Sequence, residues 1–450
     1  MGWVEHAIWW QVYPLGFCGA PIRRADGAGV INPAQTNGAG QIGEETTTFQ
    51  SHSSGGGPSG GSTAITGNGA LRRLDRWLDY AIDLGASGLL LGPIFASTSH
   101  GYDTLDHFRI DPRLGDQSDF DQLLAACHQR GLRLLLDGVF GHVSRSHPLL
   151  ARALSGDPAA AALFGVDWRQ PDPSQLTVFE GHDDLVRFDH RSMATVELVS
   201  QIMSHWLSLG IDGWRLDTAY AIPAAFWAQV MPTVRRRFPE SWVMGEMIHG
   251  DYAAFVRAAQ IDSVTQYELW KAIWSSLKEG NFFELDWCLR RHNQLLGQFT
   301  PQTFIGNHDV SRIASQVGDR LAVLALTVLM TVGGIPSIYY GDEQGWKGVK
   351  EERFGGDDAI RPAFPDSPSD LPANGADMLR AHQQLIGLRR RHPWLTTARS
   401  QTIELTNRHY RYRLTSPDPV AWLEVTLDLN TTPQASISNA SGEIIWDWGV

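Results

Sequence analysis

The residues best placed for chemistry are acids at the ends of apolar segments. Asp137 lies near the end of Leu132–Val139, Asp217 follows Ile211–Leu216, Glu246 closes Trp242–Glu246, and Asp309 follows Thr303–Gly306. A carboxylate left unpaired at an apolar end is costly, so it implies a partner or a task. Histidines accompany the acids: His142 after Asp137, His249 after Glu246, and His308 just before Asp309. Arg215, two residues before Asp217, shares its side of an extended segment, and its guanidinium is expected to hold Asp217 ionised. Two chemistries suit such a cluster. Paired carboxylates bind a divalent cation, or they flank a glycosidic bond as nucleophile and general acid/base. The second use needs one carboxylate anionic and another protonated, and crowding of like charges supplies that difference. With Arg215 alongside, Asp217 takes the nucleophile's place and Glu246 the acid/base's.

Bringing these side chains together requires elements whose ends converge. Eight short apolar segments read as strands: Ile8–Tyr13, Ser87–Leu91, Leu132–Val139, Ile211–Leu216, Trp242–Glu246, Ser263–Thr265, Thr303–Gly306 and Ile335–Tyr340. They are apolar throughout, as in parallel strands covered on both faces. Amphipathic segments between them, such as Leu71–Leu84, Phe120–Arg130, Thr195–Leu209, Ala224–Phe238 and Arg320–Thr331, read as helices. Eight strands each followed by helix predict an α/β fold, a (β/α)8 TIM barrel, whose strand C-termini share one rim. A doubly wound open sheet is the competitor, but no G-x-G-x-x-G or P-loop follows any strand.

Two interruptions and a tail complete the plan. The Gly/Ser-rich insertion 32–70 follows the first strand and reads as a surface loop or a partial lid. Residues 142–190 follow the third strand, are too long for an ordinary connection, and read as a small subdomain. The catalytic barrel is expected over 1–397. Residues 398–450, with runs such as Tyr410–Leu414 and Ala421–Leu427, read as a short C-terminal antiparallel β domain.

The motifs then resemble a known family. Asp137-Gly-Val-Phe-Gly-His142, Gly213-Trp-Arg-Leu-Asp217, Gly245-Glu246 and Asn307-His308-Asp309 are similar, in order and spacing, to the four strand-end signatures of the α-amylase family, glycoside hydrolase family 13. Gln11-Val-Tyr-Pro14, Gly92-Pro-Ile-Phe95, His100-Gly-Tyr-Asp-Thr104 and Gly334-Ile-Pro-Ser-Ile-Tyr-Tyr-Gly-Asp-Glu343 support the match, which spans about residues 7 to 365. The resemblance implies a retaining mechanism with Asp217 as nucleophile, Glu246 as acid/base and Asp309 as the third acid gripping sugar hydroxyls. It also implies that His100, His142, His308 and Arg215 bond the sugar, that Tyr102 is its aromatic platform, and that Asp137 and Arg361 support the network.

Departures bear on specificity. Gly141 stands where many α-amylases carry a calcium-binding Asn, so no metal is expected, and no cofactor either. Ser99 replaces the Asp of oligo-1,6-glucosidases, while His100 resembles the cyclomaltodextrinase and neopullulanase group. Ile248 replaces a Trp common there, which leaves linkage preference open. The resemblance thus implies a hydrolase of short α-glucosides and α-gluco-oligosaccharides, with transglycosylation as a further activity. The alternatives are a dedicated transglycosylase, a sucrose- or trehalose-converting isomerase, or a catalytically silent sugar-binding barrel. A large N-terminal domain of the kind that shapes that group's dimers is not expected here, which weakens the argument for a dimer, and a homodimer stays open.

Composition narrows the partners. Of 450 residues, 37 are Lys or Arg and 49 Asp or Glu, a net charge of −12. With no basic run, a nucleic-acid or anionic-membrane partner is not expected. Cys18, Cys127 and Cys288 are too few and scattered for a disulfide framework, and read as buried thiols. Most of the 17 tryptophans, Trp9 and Trp214 among them, read as barrel core. The first residues lack a basic region and a long apolar run, so a cytoplasmic location is expected.

Overall fold

Apolar strands pair in parallel when helices cover one face and a packed interior covers the other. The computed structural model shows this arrangement, and describes residues 2–22, 69–167, 169–170, 172–353, 355–416 and 421–449. The strands are β1 (Trp9–Val12), β2 (Gly88–Leu91), β3 (Arg133–Gly138), β4 (Gly213–Leu216), β5 (Trp242–Gly245), β6 (Ser263–Val264), β7 (Gln302–Phe304) and β8 (Ile335–Tyr339). Neighbours follow chain order from β1 to β6, and β8 pairs with both β7 and β1. A parallel bridge from Thr265 to Gln302 spans β6 and β7, and the Gln266 amide donates to the Gln302 carbonyl at 2.9 Å. The ring is thereby closed into the expected (β/α)8 barrel.

The two faces of each strand have different occupants. Trp9, Leu90, Leu135, Trp242, Met244 and Ile335 fill the base of the interior, where the Trp9 and Trp242 rings stack at 5.9 Å. Trp10, Leu89, Leu134, Trp214 and Val243 belong instead to the larger core beneath the helices. The period of two carries the inward face upward from Trp9 to Gln11, from Leu135 to Asp137, from Gly213 to Arg215 and Asp217, and from Trp242 through Met244 to Glu246. The alternation that packs the base therefore aims the acids into the mouth. At Gly213 a Cβ would lie 1.9 Å from the Trp242 carbonyl oxygen, so only glycine lets β4 and β5 approach there.

Some helices differ from expectation. The segment 71–84 divides into Arg72–Asp75 and Leu78–Leu84. Between them the chain tightens to i→i+3 bonds, with the Trp77 amide donating to Leu74 at 2.8 Å, and Trp77 is fully buried. Its ring lies 4.5 Å from Phe364 and 5.1 Å from Tyr80, so aromatic packing overrides helical continuity. The apolar helix Asp319–Thr331 is buried in the barrel wall, and no helix among the described residues is long and apolar enough to cross a membrane. The three cysteines are buried and free.

After β2 a hairpin, Phe95–Ser97 with Thr104–Ile110, carries segment 100–104, an element the sequence pattern did not suggest. Its pairing has two register shifts, which erase a clean alternation. After β3, strands His142–Ser144, Val178–Phe179 and His182–Arg187 form a small antiparallel sheet. With helices Pro148–Leu154 and Pro158–Phe164 it surrounds its own core, including Leu150, Phe164, Val186 and Phe188. The insertion 32–70 lies outside the described residues except at its last two positions. The tail forms a five-stranded antiparallel sheet, β9 (Arg399–Leu405), β10 (His409–Thr415), β11 (Trp422–Asp428), β12 (Gln434–Asn439) and β13 (Ile444–Trp448). Tyr410, Tyr412 and Leu414 of β10 alternate into the core, as a sheet covered on one face requires.

Two buried acids follow β8. Arg312 donates to Asp342 at 2.8 Å, yet burial pushes that carboxyl up to about 6. Glu343 accepts from the Tyr80 hydroxyl at 3.0 Å and the Gly341 amide at 2.9 Å, and burial pushes it from 4.5 up to about 7. A raised folded-state pKa means that the folded protein binds the proton more tightly. Glu343's contribution to stability is thus intact below pH 4.5 and lost as pH rises through about 7. Wild type should lose stability between pH 5 and 8 that Glu343→Gln retains. Urea midpoints of both proteins across that range measure the difference, and parallel slopes would refute it.

Candidate active site

Arg215 occupies the centre of the barrel mouth, 2% exposed. Its Nη1 donates to both oxygens of Asp137 at 2.7 Å and to Asp217 Oδ1 at 3.3 Å. Its Nη2 meets Glu246 Oε1 at 2.8 Å. One guanidinium therefore holds acids from three adjacent strand ends. Arg215 lowers the Asp217 pKa as expected, but not enough to bring it to the ordinary carboxylate range. Burial pushes that carboxyl well up, Glu246 and Asp137 add to the rise, and Arg215 offsets only part of it. Asp137 and Glu246 take the shorter bonds, while Asp217 Oδ2 is buried with no hydrogen-bond partner among the described residues. Burial raises Asp137 as well. Three carboxyls crowd one guanidinium here, and such a cluster titrates as one unit.

The remaining predicted residues form a second layer. The Gln11 amide lies 3.3 Å from His308 Nδ1, which makes Nε2 the protonated ring nitrogen in this bonding pattern. That nitrogen faces Asp309 Oδ2 at 2.9 Å and also meets the Tyr102 hydroxyl. The Tyr102 hydroxyl donates in turn to Asp137 Oδ2 at 3.1 Å. Rings of Tyr13, His308 and Tyr102 lie parallel, with centroids 6.2 and 5.3 Å apart. Tyr102 thus rests against His308. Arg361 lies over the Tyr13 ring at 4.9 Å, donates to the His308 carbonyl at 2.8 Å and pairs with Asp309 Oδ1 at 2.8 Å. Burial opposes ionisation of Asp309, but His308 and Arg361 outweigh it and hold the carboxyl well below its ordinary range.

His142 bonds the Tyr102 carbonyl through Nε2 at 2.9 Å, and its ring stacks on Phe179 at 4.6 Å. Burial pulls its pKa down to about 3, so the ring is neutral and Nδ1 is an acceptor with no partner among the described residues. His100 Nδ1 accepts from the Tyr102 amide at 3.3 Å, and the Tyr13 hydroxyl donates to the His100 carbonyl at 2.8 Å. Every predicted site residue therefore joins one connected mouth. His249 remains exposed at its edge.

Several participants carried no signal. The Tyr267 hydroxyl donates to Glu246 Oε1 at 3.2 Å and accepts from Asn307 at 2.9 Å. Tyr267 follows β6, which like β1 and β2 has no acid at its end to draw attention. The Thr218 amide donates to Glu246 Oε2 at 3.0 Å. Thr218 has φ 46°, a left-handed conformation that costs a β-branched residue energy and recurs at functional sites. Next to it, the Tyr220 hydroxyl donates at 3.0 Å to Glu180, at a hairpin tip of the excursion after β3. Tyr220 also packs on His249 at 5.5 Å.

A closed barrel with acids gathered at strand C-termini defines the class, and comparison with known proteins names it. The family model of the α-amylase catalytic domain matches residues 24–407, and the chain belongs to that family. It is 29% identical over 408 residues to a cyclomaltodextrinase of Geobacillus thermopakistaniensis strain MAS1, covering 87% of this chain and 63% of that protein. It is 25% identical over 410 residues to an intracellular maltogenic amylase of Bacillus subtilis strain 168, covering 88% of this chain and 63% of that protein. The chain thus spans less than two thirds of the length of both relatives. Among solved structures, an acarbose-soaked debranching enzyme of Nostoc punctiforme superimposes with a TM-score of 0.73 at 25% identity, covering 98% of this chain and 92% of that one.

Asp309 stays ionised through the Arg361 guanidinium and the His308 N–H beside it. Replacing Arg361 by Gln removes that guanidinium, and an arginine at this distance is worth about one to three pKa units. Asp309 starts well below its ordinary range, so a rise of that size leaves it ionised, and the acid limb of kcat/KM should stay in place in Arg361→Gln. An acid limb displaced upward by about one unit or more would show that Asp309, not Asp217, sets it.

Proposed function

We propose that the chain is a retaining α-glycoside hydrolase of short α-gluco-oligosaccharides and cyclic maltodextrins, with transfer to sugar acceptors as a side reaction. One observation carries the reading: Arg215 gathers Asp137, Asp217 and Glu246 on inward strand faces, with Asp309 ionised across the same mouth. Asp217 attacks the anomeric carbon as the glycosidic C–O bond breaks, and Glu246 gives its proton to the departing oxygen. In the second step Glu246 takes a proton from water, whose oxygen displaces the Asp217 carboxylate. Asp309, His308 and the free Nδ1 of His142 suit sugar hydroxyls, Asp309 as a permanent acceptor. Attack requires Asp217 ionised and Glu246 protonated once the glycoside is seated.

The names of the relatives support the substrate class, and the intracellular one supports a cytoplasmic setting. On this reading residues 1–397 are catalytic, with 142–190 as a subdomain, and 398–450 are a β module. The pair Tyr220–Glu180 stands beside Glu246, where water or a sugar acceptor must arrive.

Malto- and isomalto-oligosaccharides, pullulan and cyclodextrins are the substrates to assay. Asp217→Asn and Glu246→Gln should each lower kcat about 10³-fold or more, with α-configured first products from wild type. Cleavage of none of these sugars, or full activity in Asp217→Asn, would refute the hydrolase. Added glucose should raise the yield of transfer products. A Tyr220→Ala variant should change the ratio of transfer to hydrolysis more than the rate of substrate consumption.

A further inference from the structure

Among the described residues four arginines are buried: Arg215, Arg312, Arg361 and Arg389. The first three each meet an aspartate, at 2.7, 2.8 and 2.8 Å. Arg389, in the last turn of helix Ala376–Arg391, meets no carboxylate among the described residues. It donates instead to the carbonyls of Met330, Val332 and Gly334 at 2.9, 2.9 and 2.6 Å. Those oxygens lie at and just beyond the negative end of helix Asp319–Thr331, which explains why a cation sits there. Three carbonyls use three of five N–H groups but supply only partial charge. A whole positive charge is left in the interior, and burial pulls the guanidinium down to about 9.

A cavity of about 270 Å³ opens beside it, at the end of the barrel opposite the acids. Glu5, His6, Ser87, Arg389, Arg390 and Thr396 line it. Arg390 brings a second guanidinium, held at 3.3 Å by the Ala86 carbonyl and by the Ser87 hydroxyl, and by no carboxylate among the described residues. Glu5, the one acid on the wall, forms no ion pair with either arginine. The hydroxyl protons of Ser87 and Thr396 are spent on the carbonyls of His6 and Glu5, so the arginines supply the recognition.

We propose that this cavity binds a phosphate-class oxyanion between Arg389 and Arg390. Planar guanidinium forks match tetrahedral oxyanions, and an anion there supplies the countercharge that Arg389 lacks. The volume exceeds one phosphate, so the group belongs either to inorganic phosphate or to a phosphorylated sugar. The site is independent of the chemistry at the opposite end of the barrel.

The test uses the whole chain, thermal unfolding and calorimetric titration at constant ionic strength, with chloride, inorganic phosphate or glucose 1-phosphate. Phosphate should raise the unfolding midpoint where chloride does not. Arg390→Glu, at an exposed position, should weaken phosphate binding about tenfold or more and leave glycoside turnover unchanged. A glucose 1-phosphate effect larger than that of phosphate, and lost in Arg390→Glu, assigns the remaining volume to the sugar. A phosphate shift equal to that of chloride, or equal in wild type and Arg390→Glu, overturns the site and leaves the helix end as Arg389's only compensation.

Discussion

The mouth of the barrel depends on one guanidinium. Arg215 touches Asp137, Asp217 and Glu246 at once, from within a wall where charge is expensive. Without it three carboxyls would repel one another in a poorly solvated space, and removing one partner of a buried pair costs about 3–5 kcal/mol. With it they are held at fixed positions, although they outnumber its charge. Burial and that imbalance together raise the Asp217 carboxyl. Arg361 and His308 do the opposite for Asp309, which they hold well below its ordinary range against the cost of its burial.

Strand period and glycine placement make this possible. The same alternation that buries Trp9, Leu135 and Trp242 at the base sends Gln11, Asp137 and Glu246 into the mouth two or four residues later. Gly213 lets β4 lie close to β5, which brings Arg215 within reach of Glu246. Packing at the bottom and chemistry at the top are therefore one pattern. A one-residue slip in any of these strands would exchange the acid for an apolar neighbour.

This is why so much was legible in the sequence. Most barrel strands are largely apolar, and an acid at the end of such a run violates it conspicuously, as Asp217 and Glu246 do. The hairpin after β2 lacks such a signature, because its pairing slips register twice. Tyr267 and the Thr218 amide were invisible for a different reason. Their roles come from position on the rim, and neither an aromatic ring beside an apolar segment nor a backbone N–H announces itself. Charge balance was hidden as well. Arg215 and Asp217 are two residues apart and suggest a pair, but only the closed barrel shows Asp137 and Glu246 claiming the shorter bonds.

Of the three non-glycine residues with left-handed φ among the described residues, two lie beside Glu246, and the third, Gln260, ends helix Tyr252–Ala259. Thr218 and Glu180 hold φ of 46° and 47°, conformations that persist only when their surroundings impose them. Thr218 turns its amide onto Glu246, and Glu180 accepts from Tyr220, two residues further along the same loop. Arg187 adds a second tie from the excursion, donating to the Ala221 carbonyl at 2.8 Å. The loop after β4 is thus clamped between Glu246 and a hairpin from the excursion. A loop fixed at both ends can orient the Glu246 carboxyl and delimit what reaches it, and both tasks require the backbone to forgo its relaxed conformation.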